Sequence, residues 1–311
     1  MSDPKFQTWL TDHLFTPSEF EDFLLCPFRF YVESYLGLEP IPPQEPELTP
    51  LEIGTLIHRI LQFFFEKHAK EIGISSKDKL QASLRKITVQ TLESYQKNRP
   101  HLIPALLSFQ KERIEKTLTQ VLEKEISMEQ TKSSLKPTTF EWSFGKKGPL
   151  ELPDGKGGGI RIKGRIDRID VDHESKRFLI IDYKTGSQKI TGNQLRRGEA
   201  FQLPLYLLAV QKLLLPEYEP IGGLYYHLSD LSMDAGMIRS SLLPDGFKIH
   251  PSSSSFFSEI EWKELFETTT KHLQSIVQEI REEKFPSREE PCEPWCPWKD
   301  LCKIRSFEIS E

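Results

Sequence analysis

The sequence predicts an α/β fold with a helical insertion and a metal centre clamping its two ends together. Three observations carry this. The apolar pattern keeps a helical period through the first part of the chain and switches to the two-residue period of strands at Phe140. Two long, outwardly charged helical stretches precede the switch. The four cysteines, the whole complement, divide into Cys26 near the start and Cys292-x3-Cys296-x5-Cys302 at the end.

The elements follow in order. Thr16-Pro17-Ser18-Glu19 is a helix start, with a Thr cap, Pro in the first turn and Glu three residues after the cap. That helix breaks at Pro27 and resumes through Phe30 and Tyr31. Residues 41–50 are proline-rich and read as a linker. From Glu52 the residues Ile53, Leu56, Ile57, Ile60, Leu61 and Phe64 share one helix face. Helical patterns over 77–97 and 103–129, split at Pro100, form an insertion spanning 70–135. Phe140, Trp142 and Phe144 then alternate with Glu141 and Ser143, which is a strand. A Gly-rich hairpin over 145–159 leads into a strand from Ile160 to Val171, a turn at 172–176 and an apolar strand from Arg177 to Tyr183. A helix over 199–214, strands near 221–228 and 237–243, and a helix over 258–284 complete the pattern.

Length and charge set mild bounds. A chain of 311 residues can bury a large core as one elaborate domain or two. A net charge of −5 and a pI near 6.0 do not announce a nucleic-acid binder. A local basic surface would suffice, however. Lys156, Arg161, Lys163, Arg165 and Arg168 stand against a single acid, Asp167, and supply either such a surface or an ordinary solvated strand. There is no G-x-x-x-x-G-K-[ST] loop and so no phosphate-binding motor motif. The N-terminus lacks an apolar signal region, and the apolar run Phe201–Leu215 is interrupted by Gln202, Pro204, Gln211 and Lys212. The expectation is a soluble cytoplasmic protein without a membrane role.

The cysteine tail is crowded with Pro291, Pro294, Trp295, Pro297 and Trp298 and is too short and stiff to bury much by itself. Four thiolates could ligate an iron–sulfur cluster or zinc, or remain buried thiols. A one-plus-three split, with Cys-Pro at Cys26-Pro27 and Cys296-Pro297, favours a [4Fe-4S] cluster over zinc.

The chemistry concentrates in one hairpin. A turn centred between Glu174 and Ser175 puts Asp167 directly opposite Asp182, where like charges repel. Lys184 lies two residues past Asp182 and projects to the same face. A divalent cation between the aspartates, with the ammonium alongside, would relieve the repulsion and make a site for phosphodiester hydrolysis. A slip of one residue in register would separate the two carboxylates.

Gly164-Arg-Ile-Asp167-Arg-Ile-Asp170, followed by Ile180-Ile-Asp182-Tyr-Lys184-Thr-Gly186, resembles the core of the PD-(D/E)XK nuclease superfamily in its RecB-like exonuclease form. Gly54-x3-His58 and Gln202-x3-Tyr206 resemble that family's flanking elements, and Glu141 stands where it often has an acidic strand residue. Cys26-Pro-Phe-Arg-Phe-Tyr31, Phe285-Pro286 and the terminal cysteines resemble its iron–sulfur branch, which includes the AddB-type nuclease domain and the CRISPR-associated adaptation exonucleases. The departures are Asp182 for the more familiar Glu and one extra residue between Cys292 and Cys296.

The resemblance implies a restriction-endonuclease-like mixed central sheet flanked by helices, and one nuclease domain over residues 1–311. It implies Mg²⁺ or Mn²⁺ held by His58, Asp167, Asp182 and the Tyr183 carbonyl. Lys184 would be catalytic, with Gln202 and Tyr206 contacting it or the nucleic acid. Residues 285–303 with Cys26 would form the cluster clamp through Cys26, Cys292, Cys296 and Cys302. The expected activity is DNA cleavage in repair or recombination, exonucleolytic on single strands or unwound ends, 5′ to 3′, alongside a separate helicase partner. The alternatives are a non-catalytic DNA-binding or assembly module and a structure-specific endonuclease.

Overall fold

A computed structural model describes residues 3–40, 45–129, 134–187, 189–242, 253–287 and 296–302. Its centre is a six-stranded mixed sheet built from β1 (Lys136–Phe144), β4 (Gly164–Asp172), β5 (Arg177–Lys184), β6 (Glu219–His227), β7 (Ser232–Arg239) and β8 (Phe256–Phe257), in spatial order β1-β4-β5-β6-β7-β8. The pairs β1–β4, β4–β5 and β6–β7 are antiparallel, whereas β5–β6 and β7–β8 are parallel. This is the mixed α/β architecture expected of a restriction-endonuclease-like fold.

Both faces of the sheet are covered. The three helices α4 (Pro50–His68), α5 (Lys77–Lys97) and α6 (Pro104–Glu129) pack on one face, burying Ile57, Phe64, Leu84 and Leu118 against Leu179, Ile181 and Tyr226. On the other lie α2 (Pro17–Leu25), α7 (Gly192–Arg196), α8 (Gln202–Ala209) and α9 (Glu259–Arg281), with Phe20, Leu195, Leu205 and Leu273 against Ile169, Ile180 and Tyr225. A strand covered on both faces must be apolar throughout, which is why β5 reads FLII before its polar end. Among the described residues, no helix is long and apolar enough to cross a membrane.

Helix starts are set by local chemistry. Thr16, Thr49 and Ser258 each accept from the backbone N–H three residues on, while Glu19, Glu52 and Glu261 reach back to the cap. The linker therefore ends at Thr49, and α4 begins at Pro50, two residues before Glu52. Gln110 of α6 pins the segment ahead of that helix, accepting from Leu48 N–H and donating to its carbonyl at 2.9 Å each.

The β4–β5 register is the expected one: Arg168 faces Ile181, and Asp172 faces Arg177. Three other expectations fail. The strand from Ile160 to Val171 is two strands. Its first part, β3 (Gly159–Ile162), pairs with β2 (Leu150–Pro153) in a separate two-stranded sheet, and the chain enters the main sheet only at Gly164. The aromatics of β1 do not share a face. Phe140 stacks on Phe65 on the α4 side, while Trp142 and Phe144 pack with the opposite cluster, because Glu141 takes a left-handed φ of 49° that interrupts the alternation. Helix α1 (Pro4–Asp12), ahead of the first expected element, is an addition to the pattern.

Arg168 is the third failure, for it belongs neither to a basic surface nor to a solvated strand. It is fully buried, forks onto Asp170 at 2.6 and 2.8 Å, donates to Glu125 of α6 at 2.8 Å and lies over the Phe65 ring. The triad ties the α6 end of the helical layer to the strand that carries Asp167. Removing the cation alone would strand two buried carboxylates. Arg168→Met is expected to cost about 3–5 kcal/mol in urea unfolding, and Arg168→Met/Glu125→Leu/Asp170→Leu to recover most of it. A loss below about 1 kcal/mol for the single substitution would mean the triad is not the tie described.

Candidate active site

Five elements, α4, β1, β4, β5 and α8, deliver side chains to one place. From α4 comes His58, whose Nδ1 lies 3.3 Å from Asp167 Oδ1 and 4.0 Å from Glu141 Oε1. The three residues offer ligand atoms that all lie within 4.8 Å of one another. Asp167, on β4, is oriented by its other oxygen, Oδ2, which accepts the Tyr183 backbone N–H at 2.8 Å. That bond occupies the position where the β4–β5 ladder has just ended. Asp182 and Lys184 come from the end of β5.

Lys184 sits in a closed polar ring. Its ammonium is 2.7 Å from Asp182 Oδ2 and donates to Gln202 Oε1 at 2.7 Å, while Gln202 Nε2 donates to Asp182 Oδ1 at 2.7 Å. Gln202 occupies the first turn of α8. One helical turn on, Tyr206 is buried, with its hydroxyl in hydrogen-bonding reach of Gln202 and the Arg165 backbone. Gly164 makes room for that ring, since a Cβ there would lie 2.7 Å from Tyr206 Cε1.

The electrostatics are those of crowded carboxylates. Burial, reinforced by the Asp167 charge, pushes the Asp182 carboxyl up to about 6 against the pull of Lys184 and His58. Glu141 is raised by burial and then by Asp167, with Arg165 and His58 opposing. Burial works against the His58 imidazolium, but hydrogen bonding to Asp167 and the charges of Asp167, Asp182 and Glu141 outweigh it and raise its pKa. Arg165 is an exposed counter-charge, 2.8 Å from Glu141 Oε2.

The donor set fits a divalent cation. Carboxylate oxygens and one imidazole converge, and two buried oxygens, Glu141 Oε2 and Asp182 Oδ2, lack a well-directed hydrogen bond even though a cationic nitrogen lies close to each. The converging His58, Glu141 and Asp167 atoms are the donors a divalent cation would take.

The structure brings His58 and Asp167 together, sets Asp182, Lys184, Gln202 and Tyr206 in the adjoining ring, and places the Tyr183 N–H on Asp167; Asp182 and the Tyr183 carbonyl are not part of the ligand cluster itself. It adds Glu141 to the cluster as a full member. It also adds Glu21, which no motif signals. Glu21 of α2 accepts the Phe201 N–H at 2.8 Å and lies behind Gln202, supplying the cap that Phe201 itself cannot give to α8. Burial raises its carboxyl, with the Phe201 N–H and the Lys184 charge pulling the other way.

Cys26, at the junction of α2 and α3 (Pro27–Phe30), Cys296 and Cys302 are half-buried free thiols, and Cys292 lies outside the described residues. The tail returns to the segment after Cys26. Trp298 donates its indole N–H to Glu33 at 2.8 Å, and the Arg29 charge, disfavoured by burial, is supported by Glu33, Asp22 and Cys296.

A family model described as "PD-(D/E)XK nuclease superfamily" matches residues 14–303. Several curated relatives are each named as one subunit of an "ATP-dependent helicase/deoxyribonuclease". One from Moorella thermoacetica is 30% identical over 221 residues, covering 67% of this chain and 19% of that protein. One from Lacticaseibacillus paracasei is 27% identical over 225 residues, covering 68% and 19%. One from Lysinibacillus sphaericus is 27% identical over 330 residues, covering 97% and 28%. The chain thus spans about a fifth to a quarter of the length of the relatives it matches.

Gly54 gives the approach that brings α4 to the site. A Cβ there would lie 2.9 Å from Thr185 Oγ1, just past Lys184. Helix propensity alone would make Gly54→Ala stabilising by about 1 kcal/mol. The contact should reverse that sign, and Thr185→Ala should relieve it, giving a coupling of about 0.5–3 kcal/mol in a double-mutant cycle of unfolding free energies. Strict additivity would show that Gly54 is not there for Thr185.

Proposed function

We propose, from the fact that this chain belongs to the PD-(D/E)XK nuclease superfamily, that it is a metal-dependent deoxyribonuclease of DNA repair or recombination. The observation that carries the reading is Lys184 locked between Asp182 and Gln202 beside a His58/Glu141/Asp167 cluster. The relatives' printed name, with its deoxyribonuclease, supports DNA as substrate. We take the reaction as exonucleolytic, on single strands or unwound ends. The helicase activity in the relatives' name would come from a partner protein or from further sequence. DNA as substrate suits a cytoplasmic place of work.

His58, Asp167, Asp182 and the Tyr183 carbonyl, joined by Glu141, would hold Mg²⁺ or Mn²⁺. A bound divalent ion supplies Lewis-acid polarisation of the phosphate and a lowered pKa for the attacking water. The chain's own residues do the placing. The Tyr183 N–H fixes Asp167 so that its free oxygen meets His58. Lys184, held at 2.7 Å by both Asp182 and Gln202, orients the water and steadies charge growing on the phosphate. Tyr206 and Gly164 close the back of the site and keep Gln202 in register.

We assign the cysteines to a [4Fe-4S] cluster, with zinc as the second choice. The return of the tail to the Cys26 segment through Trp298 and Glu33 supports a shared centre. Protein purified without oxygen should be brown and hold iron and sulfide in about a four-to-four ratio. Cys26→Ser and Cys296→Ser should lose metal and stability together, since ligands of one centre fail as a unit. Stoichiometric zinc in a colourless protein would replace the cluster with a zinc site.

Asp182→Ala and Lys184→Ala are expected to lower cleavage of DNA in Mg²⁺ or Mn²⁺ by roughly 10²–10³-fold or more, with melting temperature retained. End-labelled linear DNA beside closed circles separates exonuclease from endonuclease action. A folded wild-type protein that cuts no DNA form in either metal would leave only a binding or assembly role.

A further inference from the structure

We infer that Trp142, backed by Phe144, is a stacking position for an unpaired base of single-stranded DNA immediately beside the cluster. The inference rests on the nuclease reading above and adds to it the residues that would hold a base of the unpaired strand. Trp142 and Phe144 are stacked at 5.5 Å between centroids and 26° between planes. They border a surface groove of about 480 Å³ whose other walls include Lys146, Lys147 and Leu213. Trp142 is only partly buried, and both lysines are at the open rim.

Position is the first argument. Trp142 follows Glu141, a member of the metal-ligand cluster, directly in the chain. At the other end of the stack, Phe144 meets the Tyr206 ring edge-on at 6.2 Å, and Tyr206 lies with Gln202 behind Lys184. Buried ring contacts therefore run from the groove, through Phe144 and Tyr206, to the polar ring of the site. The left-handed backbone at Glu141 is the second argument. A Glu in this conformation carries a strain of about 1–2 kcal/mol, which persists only when surrounding structure demands it. Its effect is to send Trp142 to the groove side, away from the α4 layer where Phe140 packs.

Chemistry is the third. An indole half-open to solvent, with two lysines on the same rim, offers a π-face and phosphate counter-charges together. Lys163, exposed, has its Cβ close against Gly145 at the base of the hairpin. Bases in a duplex are already stacked and offer no free face, so the groove suits an unpaired strand. Among the described strands, β1 is the outermost of its sheet.

The test is equilibrium binding of a fluorescein-labelled thymidine oligonucleotide, followed by anisotropy in EDTA so that cleavage plays no part. Wild-type protein should bind it more tightly than a blunt duplex of equal length. Trp142→Ala should weaken binding about 5- to 100-fold, while Trp142→Phe retains most of the affinity. Lys146→Ser/Lys147→Ser should lower the slope of log affinity against log salt by roughly 1.4. Quenching of protein fluorescence by the unlabelled oligonucleotide should diminish in Trp142→Phe, a variant that keeps the ring and the fold. Unchanged affinity in Trp142→Ala, equal losses for single strand and duplex, or no wild-type binding would each overturn the inference. Cleavage by a wild type whose binding ignores Trp142 sinks this inference and leaves the nuclease reading. Trp142-dependent binding without cleavage in any metal does the reverse.

Discussion

Three carboxylates folded into one place are the constraint on which the rest of this molecule depends. Glu141, Asp167 and Asp182 come from three neighbouring strands of the sheet; the Asp167 charge makes ionisation of Glu141 and of Asp182 costlier, and Asp182 adds to the effect on Glu141. Burial alone would protonate or expel them. They stay because the fold brings compensation from every side: Lys184 as a cation, His58 Nδ1 3.3 Å from Asp167, Arg165 at the rim, and Gln202 and the Tyr183 N–H as directed donors. Glu141 Oε2 and Asp182 Oδ2 have these cationic nitrogens beside them, at 2.8 and 2.7 Å. A site balanced this closely needs rigid supports.

The supports are identifiable. Gly54 lets α4 approach the end of β5, which sets His58. The buried Arg168–Glu125–Asp170 triad fixes β4 against α6 one residue beyond Asp167. Gln202 depends on the first turn of α8, whose backbone donors are met by Glu21 from another helix. Each of these contacts reaches across the chain to a residue far away in sequence. The site is therefore a property of the whole packed domain, with the sheet register as its frame.

The β4–β5 hairpin was legible because turn chemistry and apolar alternation both point to one register. Asp172 closes the turn by accepting from Glu174 and Ser175, which leaves no freedom to slip. Helix caps were legible for the same local reason. Arg168 was not, because charge is visible in a sequence and its partners are not. A guanidinium between two acids from different elements looks like a surface cation until the helices are placed. The break at Lys163 and the change of face at Glu141 were hidden by continuous strand-like composition. Both are backbone events, at Gly164 and at a left-handed Glu, that residue type signals only weakly. Glu21 was invisible for a third reason, since a carboxylate that caps a distant helix carries no pattern at all.

Helix α2 links the surroundings of Gln202 to the Cys26 junction mechanically. It is fixed at its start by the Thr16–Glu19 box and along its length by Phe20 and Phe23 in the core. It carries Glu21 to the first turn of α8, and it ends at Cys26, where Pro27 turns the chain into α3. The tail residue Trp298 binds Glu33, just beyond that turn. The distance along the helix from Glu21 to Cys26 is about five residues, or about 7.5 Å at the rise of an α-helix. A rigid rod of that length does not bend between its ends. Holding Cys26 in place therefore also holds the carboxylate that caps the helix of Gln202, and through Gln202 the ammonium of Lys184.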